Sequence, residues 1–162
     1  MSLNIRAAHE RDAEAILGIM LPIIRAGETY ALPLDMSEQA ALAYWMDPSK
    51  HTFVAVEGEL VLGTYYLTTN QQGGGAHVCN CGFMVSKTAS GRGVARAMCE
   101  HALKAARSHG YLAMQFNFVL STNTRAIRLW ESMGFGIVGR LPDAFEHPQE
   151  GFVDALVMHQ TL

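Results

Sequence analysis

Charged residues are scarce in this chain of 162 residues: Asp, Glu, Lys and Arg make up 17%, and 12 basic side chains stand against 15 acidic ones. The formal net charge of −3 gives no electrostatic reason to expect a nucleic-acid partner. Cysteine is scarcer still. Cys79, Cys81 and Cys99 are an odd number, and Arg6, His9, Glu10, Arg11 and Asp12 break up any export leader, so reduced thiols in the cytoplasm are expected. Long apolar runs are missing too. Polar residues interrupt each of them before a bilayer could be crossed, and no membrane partner is expected. Apolar residues are instead plentiful in short pieces. They reach 49%, enough for one globular domain over residues 3–162 with a sizeable core.

Those pieces alternate between two periods. Residues 3–7 place Leu3, Ile5 and Ala7 on one side and read as a strand. From His9 the spacing becomes helical, with Ala13, Ile16, Leu17, Met20 and Ile24 in one stripe; Pro22 within it predicts a kink or two joined segments. A loop over residues 27–34 precedes a second helix, capped by Ser37 and ended by Pro48. Residues 52–56 and 60–69 flank Glu57-Gly58-Glu59 as a hairpin. A glycine-rich connector then leads to a fourth strand over residues 77–85 and a long helix over 92–108, which Gly110 stops. A strand (112–120), a helix (122–133) and two strands (135–140 and 152–159) complete the chain. The order is β-α-α-β-β-β-α-β-α-β-β, a mixed α/β layer around one sheet.

The richest stretch follows the fourth strand: Ser90-Gly91-Arg92-Gly93-Val94-Ala95-Arg96, opening onto the long helix. A helix start collects unpaired N–H groups and the positive end of the dipole, which suits a phosphate or pyrophosphate. Gly91, Gly93 and small Ala95 keep side chains clear of those amides. A dinucleotide fold would want a further glycine where Arg96 stands, which argues against that reading.

A second stretch points the same way. Ser121-Thr-Asn123-Thr-Arg-Ala126-Ile-Arg-Leu-Trp130-Glu-Ser-Met-Gly134-Phe135, together with the loop and the element order, resembles the GCN5-related N-acetyltransferases (GNAT) over nearly the whole chain. The resemblance implies an opening between the fourth and fifth strands, a bulge in the fourth, and acetyl-CoA as co-substrate in that opening. Its pantetheine arm would run along Phe83, Met84 and Val85, and its diphosphate would sit on Ser90, Gly91, Arg92, Gly93, Val94, Ala95 and Arg96. Asn123 and Trp130 would border the thiol. Family members often form homodimers. Two positions depart from the family pattern. Ser90 replaces a usual Arg or Gln, leaving Arg92 or Arg96 to supply charge. Trp130 replaces a frequent Tyr, and an indole N–H cannot protonate a thiolate.

The resemblance implies direct transfer of acetyl to the amine of a small molecule, with the Val85 amide polarising the thioester carbonyl. An acceptor ammonium must first lose a proton, for which Glu28, His77 and Asp35 are candidates, while Asn80 could orient a water or the amine. Acidic residues at Glu28, Asp35, Asp143 and Glu146 would favour a cationic amine. The alternative reading, motivated by Trp130, is a non-catalytic acetyl-CoA sensor; acyl-chain length and a hydroxyl acceptor also stay open. The bland readings are a solvated Glu28, a packed Tyr30, a core-edge His101 and an apolar-filler Cys81. His77, Cys79 and Cys81 lie two apart on one strand, about 7 Å between neighbours, too far to share a zinc, so no metal is expected.

Overall fold

A computed structural model describes residues 2–162. Its elements are β1 (Asn4–Ala7), α1 (Ala13–Ala26), α2 (Glu38–Trp45), β2 (His51–Glu57), β3 (Leu60–Thr69), β4 (Val78–Val85), α3 (Val94–Ser108), β5 (Ala113–Leu120), α4 (Thr124–Ser132), β6 (Gly136–His147) and β7 (Gly151–Thr161). The expected order and mixed α/β class are therefore observed. Seven strands form one sheet in the order β1-β2-β3-β4-β5-β7-β6. Its one parallel pair, β4 with β5, meets only at Val78↔Ala113 and Cys79↔Met114. Beyond those two rungs the strands part, and this opening positions the site.

Strand alternation divides the core between the two faces of the sheet. Tyr65, Leu67, Met98, Ala102, Phe116 and Trp130 pack on the face covered by α3 and α4. Ile16, Met20, Ile24, Trp45, Tyr66 and Met84 pack on the face covered by α1 and α2. Trp45 is fully buried, and its indole N–H donates to Thr64 Oγ1 at 3.0 Å; the Thr64 hydroxyl in turn donates to the Phe53 carbonyl at 2.8 Å. An aromatic of this size placed in a core contributes about 3–5 kcal/mol relative to alanine.

Several boundaries differ from expectation for identifiable reasons. α1 is one unbroken helix despite Pro22, because Ile19, Met20 and Ile24 on either side are buried and tertiary packing outweighs the lost hydrogen bond. It starts at Ala13, after a 3-10 turn over Glu10–Asp12. α3 starts at Val94 because Gly91 and Gly93 hold φ of 80° and 79°, which a right-handed helix cannot use. β6 runs on to His147 through Pro142, since an outer strand can spare an N–H. Its register shifts between Leu141 and Phe145, and the Asp143 N–H donates to Asp154 Oδ1 at 3.0 Å. The bulge expected in the fourth strand is absent there: β3 and β4 pair without a shift from Gly63↔Val85 to Thr69↔Cys79. The irregularity lies instead in β5, between Phe116 and Val119, and a bulge bends the strand that carries it. No helix among the described residues is long and apolar enough to cross a membrane.

Candidate active site

A cavity of about 700 Å³ fills the gap between β4 and β5. The backbone of β4 decides its chemistry. Ser86 N–H donates to Leu62 C=O (2.8 Å) and Asn70 N–H to Val78 C=O (2.9 Å), so the even-numbered residues of this strand spend their backbone groups on β3. Cys81, Phe83 and Val85 must then turn their N–H and C=O groups the other way, into the opening that β5 has left. The Tyr30 hydroxyl, from the loop after α1, donates to the Phe83 carbonyl at 2.8 Å. Met84 also lines the cavity, while its backbone pairs with Thr64 on the β3 side.

The loop leaving β4 closes one end of the cavity. Gly93 is the N-cap of α3 and offers no side chain; the first amide returned to the chain is Ala97 N–H, to Gly93 C=O at 3.0 Å. The amides of Val94, Ala95 and Arg96 precede any intrahelical acceptor. A Cβ on Gly93 would meet nothing within 4 Å, so the space in front of these donors is open. A diphosphate fits this cradle by donor chemistry and by room. Arg92, expected among its contacts, is turned elsewhere: Nη2 lies 2.9 and 3.0 Å from the two Glu57 carboxylate oxygens, and its amide donates to Ala89 C=O. Arg92 precedes the left-handed Gly93 and so lies outside α3, with its guanidinium paired to the last residue of β2.

Across the gap, Asn123 caps α4 through Oδ1, which accepts Ala126 N–H at 3.4 Å. Trp130 is 8% exposed, with ring centroids 5.0 Å from both Phe83 and Phe116. Asn80 and every residue expected at the cofactor apart from Arg92 line this one cavity. Arg125 also lines it and was missed from sequence; its Nη1 donates to Ser90 Oγ at 3.3 Å. Nothing in the local pattern of an exposed α4 arginine announces a contact with a loop 35 residues earlier.

The candidate bases fare differently. Glu28 is exposed and outside the lining, although its neighbours Thr29 and Tyr30 are in it; loop residues have no periodicity from which an inward face could be read. Asp35 is exposed, and His77 lies at the closed end, where its carbonyl accepts Leu112 N–H. The neutral polar side chains of the lining include Thr29, Tyr30, Tyr66, Asn80 and Asn117. Burial pushes the Tyr30 and Tyr66 phenols above their ordinary range, with the neighbouring tyrosines adding to the effect on Tyr66. Burial also holds Cys81 neutral, its thiol 3.9 Å from Met114 Sδ, and pushes Cys79 and Cys99 up to about 12. Among the described residues the lining contains no carboxylate and no imidazole; its charges are Arg96 and Arg125, at the loop end. A second hollow of about 350 Å³ shares Tyr30 and is walled by Leu32, Leu34, Phe145, Glu146 and His147. His101 is the core-edge residue expected, its Nδ1 2.7 Å from the Tyr65 hydroxyl.

The chain and its fold have counterparts among known proteins. Residues 20–135 match the model of the acetyltransferase (GNAT) family. The chain belongs to this family. It is 30% identical over 151 residues to the N-acetyltransferase aca1 of Schizosaccharomyces pombe, covering 83% of this chain and 72% of that protein. A GCN5-related N-acetyltransferase from Kribbella flavida superposes with a TM-score of 0.95 at 43% identity, over 99% of this chain and 98% of that one. The structure of yncA from Salmonella typhimurium with its cofactor acetyl-CoA shares the fold, with a TM-score of 0.87 at 21% identity over 100% and 95% of the two chains. The chain is thus an N-acetyltransferase by family, and its cavity occupies the splay between strands four and five that the resemblance implied.

Proposed function

We propose that this GNAT domain, residues 3–162, transfers the acetyl group of acetyl-CoA directly to the amine of a small molecule held in the same cavity. The observation that carries the reading is the coincidence, in one opening, of outward-turned backbone groups on β4 and unpaired amides at the start of α3. Phe83 and Val85 would receive the pantetheine arm as an added strand. The thioester would supply the activated acyl group, and the Val85 N–H, turned away from β3 into the opening, would polarise its carbonyl oxygen. Trp130, which lines the same cavity, would border the sulfur. Because its N–H is not acidic, the proton for the leaving thiolate comes from another side chain or from water. Three free, buried thiols support a reducing, cytoplasmic setting.

The walls also narrow the acceptor. Thr29, Tyr30, Tyr66, Asn80 and Asn117 offer hydrogen bonds but no negative charge, and of the acidic residues expected at the rim only Glu146 borders either hollow among the described residues. An ammonium of pKa about 10 buried against neutral walls loses hydration worth several kcal/mol without a counter-charge. The acceptor that suits these walls is therefore an amine largely neutral near pH 8, such as an arylamine or an α-amino group (about 8), in place of a strongly basic one. In the adjoining hollow Leu32, Leu34 and Phe145 suit an apolar body, with Glu146 and His147 as polar partners for a substituent on it. Thiol release across a panel of amines at fixed pH tests this: kcat/KM should fall as amine pKa rises. Preference for a polyamine would overturn the acceptor class. Tight acetyl-CoA binding with no thiol release above hydrolysis would indicate a sensor instead.

A further inference from the structure

Three guanidinium groups surround the loop that opens α3, and they are not equivalent. Arg92 leans away onto Glu57. Arg96 lies along α4, Nη2 donating to Ser132 Oγ at 2.9 Å and Nη1 to Met133 Sδ at 3.3 Å. Arg125, in the first turn of α4, reaches across the mouth of the cavity towards the loop. Its Nη1 makes a long 3.3 Å bond to Ser90 Oγ, and its Nη2 stands 3.2 Å from where a Cβ on Gly91 would lie. The ion pairs among the described residues are Arg6–Asp12, Arg92–Glu57 and Arg140–Asp154, so no carboxylate neutralises Arg125.

The loop has a deficit that such a group would fill. Helix-start amides offer about half a positive charge in total. A diphosphate brings a larger negative charge than that, and position 90 is a neutral serine. A planar guanidinium matches phosphate oxygens with two parallel donors. Moving from a weak hydroxyl contact to a phosphate oxygen requires no new backbone position, since the guanidinium already borders Gly91.

We propose that Arg125 is the cation that holds a diphosphate oxygen of acetyl-CoA, closing on it from the α4 wall while the amides of residues 93–96 hold it from the α3 wall. This rests on the acetyl-CoA reading of the cavity, and it makes a residue outside the glycine loop part of the cofactor site. It also means that a bound diphosphate adds a link between the α3 and α4 walls, beside the Arg96–Ser132 bond.

Calorimetric titration of CoA and of dephospho-CoA, which lacks the 3′-phosphate, into wild type, Arg125→Gln, Arg125→Lys and Arg92→Gln tests the assignment. Arg125→Gln should weaken both ligands alike by roughly 10- to 100-fold, the range of a charge-assisted hydrogen bond. Arg125→Lys, which keeps charge but not the fork, should fall between it and wild type. Arg92→Gln breaks only an exposed pair with Glu57 and should change affinity by about twofold or less. Unchanged affinity in Arg125→Gln overturns the proposal, as does an equal loss in Arg92→Gln, which would mark a general charge effect. A loss confined to CoA would move Arg125 to the 3′-phosphate and also overturn it. Wild type that binds neither ligand would remove the cofactor reading itself, an outcome separate from these.

Discussion

At Gly82 one absent carbon lets the Tyr66 ring reach the cavity. A Cβ there would lie 2.5 Å from Tyr66 Cε2 and 3.0 Å from its hydroxyl, so the phenol can cross β4 only over a glycine. Tyr66 has little freedom to retreat. Its ring meets Trp45 edge-on at 4.8 Å, its hydroxyl is 3.2 Å from that of Tyr44, and Lys50 Nζ sits 4.5 Å from its centroid. Gly82→Ala should therefore cost about 1–3 kcal/mol in unfolding free energy, the usual range for overpacking. If Tyr66 contacts the acceptor, the same variant should raise KM for the amine while CoA affinity, measured by calorimetry, is retained. Equal loss of CoA affinity and turnover would place Tyr66 on the cofactor side and sink that assignment.

Among elements, the join between β1 and α1 carries the clearest dependence on pH. Arg6 on β1 donates two bonds to Asp12 at the start of α1, at 2.8 and 2.9 Å, and the His9 N–H donates a third at 2.7 Å. The Arg6 bond, followed by that from His9, lowers the Asp12 carboxyl to about 2 against the desolvation of a nearly enclosed side chain. A pKa depressed on folding stabilises the protein above the unfolded value near 3.9, and the gain is lost as pH falls through about 2. Asp12→Asn should thus lower stability by about 1 kcal/mol at pH 7, with Arg6 partly open to solvent limiting the effect. Urea midpoints at pH 7, 4 and 3 should show the gap between variant and wild type narrowing across the last interval; a constant gap would rule out the carboxylate as its source. The element level is also where the sequence was most legible. Strands, helices and the glycine loop are written in periodicity and punctuation within ten or so residues, and Gly91, Gly93, Asn123 and Trp130 all reached the cavity from such local signals. What could not be read depends on how elements meet. The bulge sits on β5 because of how that strand pairs with β7, Arg92 turns to Glu57 on another strand, Arg125 crosses an opening, and Glu28 faces out of a loop with no period.

On the scale of the whole molecule, the cavity is a seam between two cores. The walls at Val94, Phe116 and Trp130 belong to the α3–α4 core, whereas Tyr66 and Met84 belong to the α1–α2 core, against which Tyr30 is packed. The tyrosines rest on one support, since Trp45 touches Tyr66 edge-on and Tyr30 at a centroid distance of 6.0 Å. If the seam also separates functions, disturbing the α1–α2 core should affect the acceptor and leave the cofactor untouched. Trp45→Phe is suited to show this. It keeps an aromatic ring but removes volume and the donor to Thr64, whose own bond to Phe53 survives, so a loss of about 1–3 kcal/mol is expected without unfolding. The predicted signature is a raised KM for the amine, an unchanged Kd for CoA and an unchanged KM for acetyl-CoA. Parallel loss in all three would mean that the two cores respond as one body, and that the acceptor wall has no independence from the strands that hold the cofactor.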